Sequence, residues 1–300
     1  MQHSVKAPIS VLVPTLNEER NIEKCLASLG WADEVWVVDS FSGDGTIEIA
    51  KDMGAKVATF RWDGLGPRKK NWALDNISWS HEWVLIVDAD EEVSDPLRDE
   101  ITAAVEQSTY DAFLIPYHYY FLGRLLRHGA PLWKLILFKH TKARFETVNV
   151  PEVTGYDVEL HEHPLVQGNT AKLRHAMIHY DMADLRHYFQ RHNVYSDWEA
   201  LLRTRYRLRS RQDEIQPRLL GSAMERRRFL KNLFLSMPGK PFAYFMYSYV
   251  LRAGFLDGRP GFIYNALKAI YWYEVGVKEY ELRLREKGRK LVTGREIARA

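Results

Sequence analysis

Two aspartates, Asp88 and Asp90, have the spacing that most directly suggests chemistry. They follow the apolar run at residues 84–87, which has the composition of a buried strand. Two carboxylates in such a place cost free energy unless a cation or hydrogen-bond donors neutralise them. Mg²⁺ and Mn²⁺ accept carboxylate ligands, and Mg²⁺ usually takes its others from water and substrate phosphates. The pair therefore predicts a divalent-metal site that handles a phosphorylated substrate.

Polar residues also follow two other predicted strands. Residues 14–18 come after the β-rich run 9–13, and residues 39–46 come after the run 34–38. In an open α/β sheet, ligands bind at the carboxyl ends of the strands, where loops and helix N-termini present N–H groups. Asp44 fits ligand contact and the N-cap of the next helix equally well. The sequence thus predicts one polar edge, built from three strand ends.

The spacing of these strands predicts the fold class. Strands are expected at residues 9–13, 34–38, 56–60 and 83–87, with helices at 18–29, 44–53 and 67–77 between them. Such alternation gives βαβ units and a parallel sheet, and further strands at 111–121, 134–138 and 172–178 make the sheet mixed. We predict an α/β domain over residues 1–165 and a helical, basic, aromatic-rich region over residues 166–300.

The net charge of +3 conceals a division between these two regions. Residues 1–165 hold 16 Lys and Arg against 26 Asp and Glu, a charge of −10, whereas residues 166–300 hold 26 against 13, a charge of +13. Such asymmetry indicates a partner for one half. No nucleic-acid motif accompanies the basic half, so nucleic acid is not expected. The single cysteine, Cys25, excludes a disulfide framework and fits a helical core position.

The segment 241–273 combines many aromatic residues with a few cations. Its longest apolar run, residues 242–251, has about half the length that spans a bilayer as a helix. Aromatic and cationic side chains without a span are typical of an interfacial membrane surface. The alternative is a helical cap with its aromatic side chains packed inside. Both interpretations remain open from the sequence.

Four motifs occur in order along the first region: Val-Pro-Thr-Leu-Asn-Glu-Glu at 13–19, Val-Val-Asp-Ser at 37–40, Ser-Gly-Asp-Gly-Thr at 42–46 and Val-Asp-Ala-Asp-Glu at 87–91. Over about residues 8–165 they resemble the family 2 glycosyltransferases of the GT-A fold, a Rossmann-like mixed sheet that binds nucleotide sugars. The resemblance implies transfer from a nucleotide diphosphate sugar, here a UDP-sugar, with inversion at the anomeric carbon.

Later segments, at residues 161–164, 178–181 and 188–196, resemble the bacterial lipopolysaccharide inner-core β-1,4-glucosyltransferases. This resemblance implies a glucose donor and a glycolipid acceptor. It also implies an enzyme in the cytoplasm, peripheral on the cytoplasmic face of the inner membrane. The charge of +13 over residues 166–300 adds anionic lipid as the expected partner.

The family resemblance implies roles for particular side chains. The donor would be held by Pro14, Thr15, Asn17, Glu18, Asp39, Ser42, Arg68, Lys69, Lys70, Asp88, Ala89, Asp90 and Glu91. Mg²⁺ or Mn²⁺ would be held by Asp90, with Asp88 and His179. Two alternatives stay open: residues 66–71 also fit a solvated helix start, and His179 also fits a structural histidine.

Inverting transfer to a hydroxyl needs one carboxylate to take the proton of the acceptor. The leaving diphosphate needs no general acid, because a metal and cationic side chains neutralise its charge. The family resemblance implies a base that follows the aspartate pair, and Glu162 is the predicted one. It is flanked by His161 and His163, which could orient it or shift its pKa. Glu91, Asp157 and Glu159 are its competitors.

Four functions are therefore weighed. The first is a metal-dependent inverting glycosyltransferase that acts on a membrane-held glycolipid such as lipopolysaccharide core. The second is a polyprenyl-phosphate glycosyltransferase, whose acceptor is already an anion and needs no base. A nucleotidyltransferase and a non-catalytic membrane-surface binding protein on the same scaffold are more distant.

Overall fold

The computed structural model describes residues 6–62, 68–107, 109–130, 132–145, 164–180, 185–206, 217–220 and 239–288, with short pieces between 226 and 237. Its chain forms two compact units. The first comprises Met1–Leu126 and Pro131–Asp181, and the second comprises Arg127–Ala130 and Met182–Ala300.

Strands and helices alternate through the first hundred residues of the first unit, as the spacing predicts. They are β1 (Ala7–Thr15), α1 (Ile22–Ala27), β2 (Ala32–Asp39), α2 (Thr46–Asp52), β3 (Lys56–Thr59), α3 (Lys69–Asn76), β4 (Trp83–Ile86), β5 (Glu91–Glu92) and α4 (Asp95–Gln107). Seven strands follow: β6 (Ala112–Phe121), β7 (Arg124–Leu126), β8 (Leu132–Lys139), β9 (Ala143–Phe145), β10 (Pro164–Val166), β11 (Thr170–Lys172) and β12 (Met177–His179).

The principal sheet of this unit is mixed. Its strand order is β3-β2-β1-β4-β8-β6-β12-β5, and β7 and β11 also pair with β6. The strands β3, β2, β1 and β4 run parallel, whereas β8 is antiparallel to β4 and β6. All four residues of β4 are buried, so the chain can place polar side chains only beyond the end of that strand. This is the GT-A-like α/β fold that the sequence predicts.

The strand predicted at 172–178 is instead two short strands. β11 pairs with the beginning of β6, at Ala112–Leu114, and β12 pairs further along it, at Tyr117–Tyr119. The break between them lets β12 pair with β5 on its other side. These pairings place residues 166–180 in the first unit, although the sequence-based boundary at residue 165 assigns them to the second region.

The predicted helix at 18–29 is also shorter than expected. α1 begins at Ile22, because residues 16–21 form a loop whose backbone bonds to the loop after β2. Cys25 is buried on this helix, which confirms its core position.

The second unit is helical. It contains α5 (Leu185–Leu201), which continues as a π-helical turn to Tyr206, then α6 (Lys240–Phe245), a second π-helical turn (Met246–Leu251), a 3₁₀ turn (Gly254–Asp257) and α7 (Gly258–Glu286). Aromatic clusters join these helices, including Tyr188 stacked on His192 and Tyr271 edge-on to His192. Across the described helices, none combines the length and the apolar character that crossing a bilayer requires.

The burial of β4 predicts the cost of a cavity in the first unit. Leu85 is fully buried, opposite Val11 of β1 and Leu137 of β8. We expect Leu85→Ala to lower the free energy of unfolding by about 2–5 kcal/mol, the usual range for a core leucine. Urea denaturation, monitored by tryptophan fluorescence, measures this free energy of unfolding. The matched control is Leu165→Ala, since Leu165 is 55% exposed, and an equal loss in both variants would contradict the assigned core.

Candidate active site

A buried carboxylate joins the ends of the first two strands. Thr15 ends β1 and Asp39 ends β2, and the parallel pairing sets these two residues opposite each other. The Thr15 hydroxyl donates to Asp39 Oδ1 over 2.8 Å, and Ser42 donates to Asp39 from its hydroxyl (2.5 Å) and its backbone N–H (2.7 Å). Three donors thus fix a fully buried carboxylate at the polar edge of the sheet. Pro14 is half-buried beside it in β1.

The loop after β1 is bonded to the loop after β2. Asn17 has a left-handed backbone (φ 57°), which asparagine tolerates better than most residues. Its backbone N–H donates to Ser42 Oγ over 2.8 Å, and its side-chain oxygen accepts from the Gly43 N–H over 2.9 Å. The Glu18 N–H donates to Thr46 Oγ1 over 2.8 Å. Asn17 and Ser42 therefore hold the two loops in one arrangement.

Asp44 lies one residue before the N-cap of α2, which is Gly45, so the predicted capping position is wrong by one residue. Its Oδ1 accepts from the Thr46 N–H over 3.1 Å, at the first residue of α2, and also from the Thr46 hydroxyl. These hydrogen bonds lower the pKa of the Asp44 carboxyl. The side chain thus satisfies a backbone donor at the start of the helix.

Three cations approach this edge from the start of α3. Lys69 is buried and donates to the Thr15 carbonyl oxygen over 2.9 Å. Lys70 Nζ lies 3.9 Å from Asp88 Oδ1. Arg68 is also buried, with its guanidinium 4.8 Å from the centre of the Trp62 ring. Arg68 and Lys69 are buried, so this segment is not a solvated helix start. The three cations give a positive potential beside the strand ends.

Asp88 belongs to a network that the sequence did not reveal. Lys134 Nζ of β8 lies 2.8 Å from Glu91 Oε1 and 3.3 Å from Asp88 Oδ2. Glu91 Oε2 accepts from the Tyr117 hydroxyl and from the Asp88 N–H, each over 3.1 Å. Glu91 is buried, so its carboxylate is committed to holding this turn. Ala89 is buried within the same turn.

This network determines the charge state of Asp88. Burial alone would raise its pKa, but the Lys134 and Lys70 ammonium groups, with His179, hold the pKa of Asp88 below its ordinary value. Burial also works against the charge of Lys134, yet Glu91, Tyr117 and Asp88 raise its pKa well above the usual value. Asp88 is therefore an ionised carboxylate that already faces two cations.

Asp90 is in the opposite situation. Burial raises its pKa to about 6, and the carboxylates of Asp88, Glu91 and Glu18 add to the rise, while His179 opposes it. His179 reaches this point because β12 pairs with β5, and the Tyr180 N–H donates to the Asp90 carbonyl oxygen over 2.8 Å. The His179 Nδ1 atom lies 3.5 Å from Asp90 Oδ1 and 3.5 Å from Glu91 Oε1.

The residues at Asp90 fit a divalent cation. A largely buried carboxylate with a raised pKa gains from added positive charge, and the nearby imidazole is a second ligand type that Mn²⁺ binds. Among the described residues, no three His, Cys, Asp or Glu side chains form a complete metal cluster. A cation here would therefore take its remaining ligands from water and from phosphate oxygens, as Mg²⁺ usually does.

The structure brings together most of the predicted donor and metal residues in one unit. Glu162, its neighbours His161 and His163, and the competitors Asp157 and Glu159 lie outside the described residues. Sequence reasoning missed Lys134 and Tyr117. The one available signal is that Lys134 interrupts the apolar run at 132–138 of β8, where a lysine needs a buried partner.

Comparison with known proteins identifies relatives of this chain. The model of glycosyl transferase family 2 matches residues 10–162. An uncharacterized glycosyltransferase of Rickettsia typhi is 32% identical over 197 residues, which cover 64% of this chain and 66% of that protein. A lipopolysaccharide core biosynthesis glycosyltransferase of Rhizobium meliloti is 34% identical over 110 residues, which cover 34% of this chain and 40% of that protein. The chain thus spans just under two thirds of the first relative.

Solved structures also match part of the chain. Glucosyl-3-phosphoglycerate synthase from Mycobacterium tuberculosis, in complex with Mn²⁺, UDP and glucosyl-3-phosphoglycerate, is 28% identical. The match covers 38% of this chain and 44% of that chain, with a TM-score of 0.30.

The contrast between the two aspartates predicts opposite effects of neutralisation on stability. For Asp90, ionisation costs folding free energy as the pH rises from about 3.8 through about 6. We expect Asp90→Asn to raise the melting temperature at pH 8 in EDTA. The corresponding increase in the free energy of unfolding is at most about 3 kcal/mol. The gain should shrink as the pH falls below 6 and vanish near 4, where the wild-type side chain is protonated.

Asp88→Asn is the matched variant, with the same change two residues away. Its lowered pKa means that the ionised Asp88 stabilises the fold above about pH 3.8 and loses this contribution as the pH falls. The melting temperature of Asp88→Asn should therefore fall at pH 8. Differential scanning calorimetry measures both variants, and shifts of equal sign would contradict the assigned charge environments.

Proposed function

Because the chain belongs to glycosyl transferase family 2, we propose that it is an inverting, metal-dependent glucosyltransferase that uses a UDP-sugar. Its proposed acceptor is a hydroxyl of a membrane-held glycolipid such as lipopolysaccharide core. The observation that carries the proposal is the gathering of Asp39, Asp88 and Asp90 with Lys69 and Lys70 at the strand ends of one sheet. A donor that combines a nucleoside, a diphosphate and a sugar needs donors, cations and carboxylates of this kind.

The donor would lie along this edge, with its nucleoside at the ends of β1 and β2. Asp39, held by Thr15 and Ser42, is a fixed acceptor for nucleoside N–H or O–H groups, and Pro14, Asn17 and Glu18 line the same loop. The positive charge of Arg68, Lys69 and Lys70 suits the diphosphate. Asp88 faces the ribose or the sugar in this arrangement, with Ala89 and Glu91 in the turn that supports it.

Mg²⁺ or Mn²⁺ would be held by Asp90 and His179, with Asp88 beside it. When bound, such a cation stabilises the negative charge that develops on the departing diphosphate. The support is the raised pKa of Asp90 and the 3.5 Å approach of the His179 imidazole. Lys70 adds positive charge from the side of Asp88.

Transfer itself requires one proton acceptor. The acceptor hydroxyl loses its proton to a carboxylate as its oxygen bonds to the anomeric carbon, while the bond from that carbon to the diphosphate oxygen breaks. Attack on the face opposite the leaving group inverts the anomeric centre. We assign the proton acceptor to Glu162, on its position in the sequence after the aspartate pair. Glu91 is less suited, because its carboxylate already accepts from Tyr117 and pairs with Lys134.

The nature of the acceptor rests on three supports. The Rhizobium meliloti relative is named for lipopolysaccharide core biosynthesis. The region 166–300 carries a charge of +13, which suits an anionic lipid surface. Large aromatic side chains such as Phe242 and Tyr273 are exposed in the second unit. Together they favour a peripheral enzyme on the cytoplasmic face of a membrane.

The test is UDP release from a panel of UDP-sugars with Mn²⁺, with and without detergent-solubilised core glycolipid. We expect UDP-glucose with glycolipid to give the highest rate, and EDTA to abolish it. Glu162→Gln should retain the affinity for UDP and Mn²⁺ measured by calorimetry, yet lose about 10²-fold or more in kcat. Asp90→Asn should lose the Mn²⁺-dependent part of UDP binding.

Other outcomes would point to the alternatives. Full activity of Glu162→Gln would remove this residue from the mechanism, and turnover of that variant on a polyprenyl phosphate would favour the lipid-phosphate acceptor. Pyrophosphate as the product would indicate a nucleotidyltransferase. A chain that binds no nucleotide sugar in the presence of metal would contradict an enzymatic role.

A further inference from the structure

A short loop of the second unit exposes three large apolar side chains. Leu251, Phe255 and Leu256 lie in the turn between α6 and α7, and they are 76%, 49% and 53% exposed. We call these three residues the apolar tip. Single exposed apolar residues are ordinary on a protein surface, but three within six positions of one turn concentrate exposed apolar area, which is typical of an interaction site.

The backbone of this loop is held in one conformation by contacts within the second unit. Asp257 is buried and accepts the backbone N–H groups of Arg127 and His128 over 3.1 Å and 2.9 Å. Ala253 has a left-handed backbone (φ 57°), and a Cβ on Gly254 would lie 2.8 Å from Asn265 Nδ2. These contacts fix the backbone on both sides of Phe255 and Leu256.

The apolar surface continues behind the tip. The Phe255 ring lies 6.3 Å from Tyr249, whose ring lies 5.5 Å from Phe262. Phe262 is itself 48% exposed, and Phe245 stacks on Tyr249 at 5.0 Å. The apolar tip is therefore continuous with a cluster of packed aromatic rings.

The charge around the tip has a single sign. Between residues 240 and 273 the chain has four cationic residues, namely Lys240, Arg252, Arg259 and Lys268, and a single acidic one, Asp257. Because Asp257 is buried under the loop, the exposed charges of this segment are positive. Arg252 lies within the apolar tip, between Leu251 and Phe255, and Arg259 follows it; both arginines are exposed. Apolar side chains interspersed with arginines complement an anionic bilayer, which offers acyl chains below phosphate groups.

We propose that the apolar tip inserts among the lipids of an anionic bilayer, with Arg252 and Arg259 at the level of the lipid phosphates. The inference rests on the proposed function for one point, namely that the acceptor is held in a membrane. It goes beyond that function by assigning the membrane contact to one rigid loop. Each arginine adds affinity on the order of fivefold at low salt.

The first experiment is co-sedimentation of the full chain with vesicles of phosphatidylcholine, with or without phosphatidylglycerol. We expect binding to the anionic vesicles only, weaker at high salt. The variant Leu251→Ser/Phe255→Ser/Leu256→Ser should bind at least about tenfold more weakly, because three apolar side chains no longer leave water. Arg252→Glu/Arg259→Glu should lose the preference for anionic lipid.

The matched control removes three exposed apolar residues of the first unit. The variant Leu122→Ser/Leu165→Ser/Tyr110→Ser deletes two leucines and one aromatic residue that are 48%, 55% and 42% exposed. It should bind vesicles like the wild type. Equal loss of binding in both triple variants, or in neither, overturns the assignment to the tip. Self-association of the wild type that depends on the tip without vesicles would also overturn it, in favour of an interface between copies.

A second measurement separates insertion from adsorption. The single native cysteine, Cys25, is buried, so an environment-sensitive fluorophore can be attached at Leu256→Cys, with Leu165→Cys as the control site. Anionic vesicles should shift the emission of the label at position 256 to the blue, and brominated lipid should quench it. A label at position 256 that remains in water contradicts the proposal.

The outcome for the tip is distinguishable from the outcome for the proposed function. With detergent-solubilised glycolipid, the triple tip variant should release UDP at the wild-type rate, since the acceptor is no longer in a bilayer. If the wild type is inactive there but still binds vesicles through the tip, the proposed function fails and the membrane contact stands.

Discussion

Charge compensation behind β4 is the constraint on which the first unit depends. Asp88, Asp90 and Glu91 crowd three carboxylates into one turn, and the burial of Asp90 and Glu91 makes their negative charges costly in free energy. Lys134 compensates two of them, at 2.8 Å and 3.3 Å, and it can do so because β8 runs antiparallel beside β4. The mixed sheet thus stabilises the acidic turn, because the antiparallel strand β8 supplies Lys134 beside it.

The cations of this turn affect its two aspartates differently. Asp88 faces Lys134 and Lys70 and stays ionised, whereas Asp90 keeps a raised pKa with only His179 in opposition. The turn therefore retains a demand for one more positive charge at Asp90. Folding stability is lost there, and under the proposed function affinity for a cation is the corresponding gain, as at many sites where function costs stability.

The elements that the sequence predicts correctly are those that depend on interactions between residues close together in the chain. The strands at 9–13, 34–38 and 83–87 and the mixed sheet agree with the structure, because local periodicity and buried runs determine them. The helix at 18–29 and the strand at 172–178 were wrong in extent, since pairing with distant segments decided where they begin and break. The role of Lys134 was not predicted, because its carboxylate partners Asp88 and Glu91 are more than forty positions away in the sequence.

The sequence by itself determined which polar side chains stand at the strand ends, since Thr15, Asp39, Asp88 and Asp90 are fixed by their positions at the ends of apolar runs. Only the tertiary structure decided the charge states of the two aspartates and brought His179 to Asp90. The physical reason is that a pKa depends on burial and on charges within a few ångströms, and here those charges come from β8, α3 and β12. The same holds for the tip, where folding decided that Asp257 is buried and Leu251 is exposed.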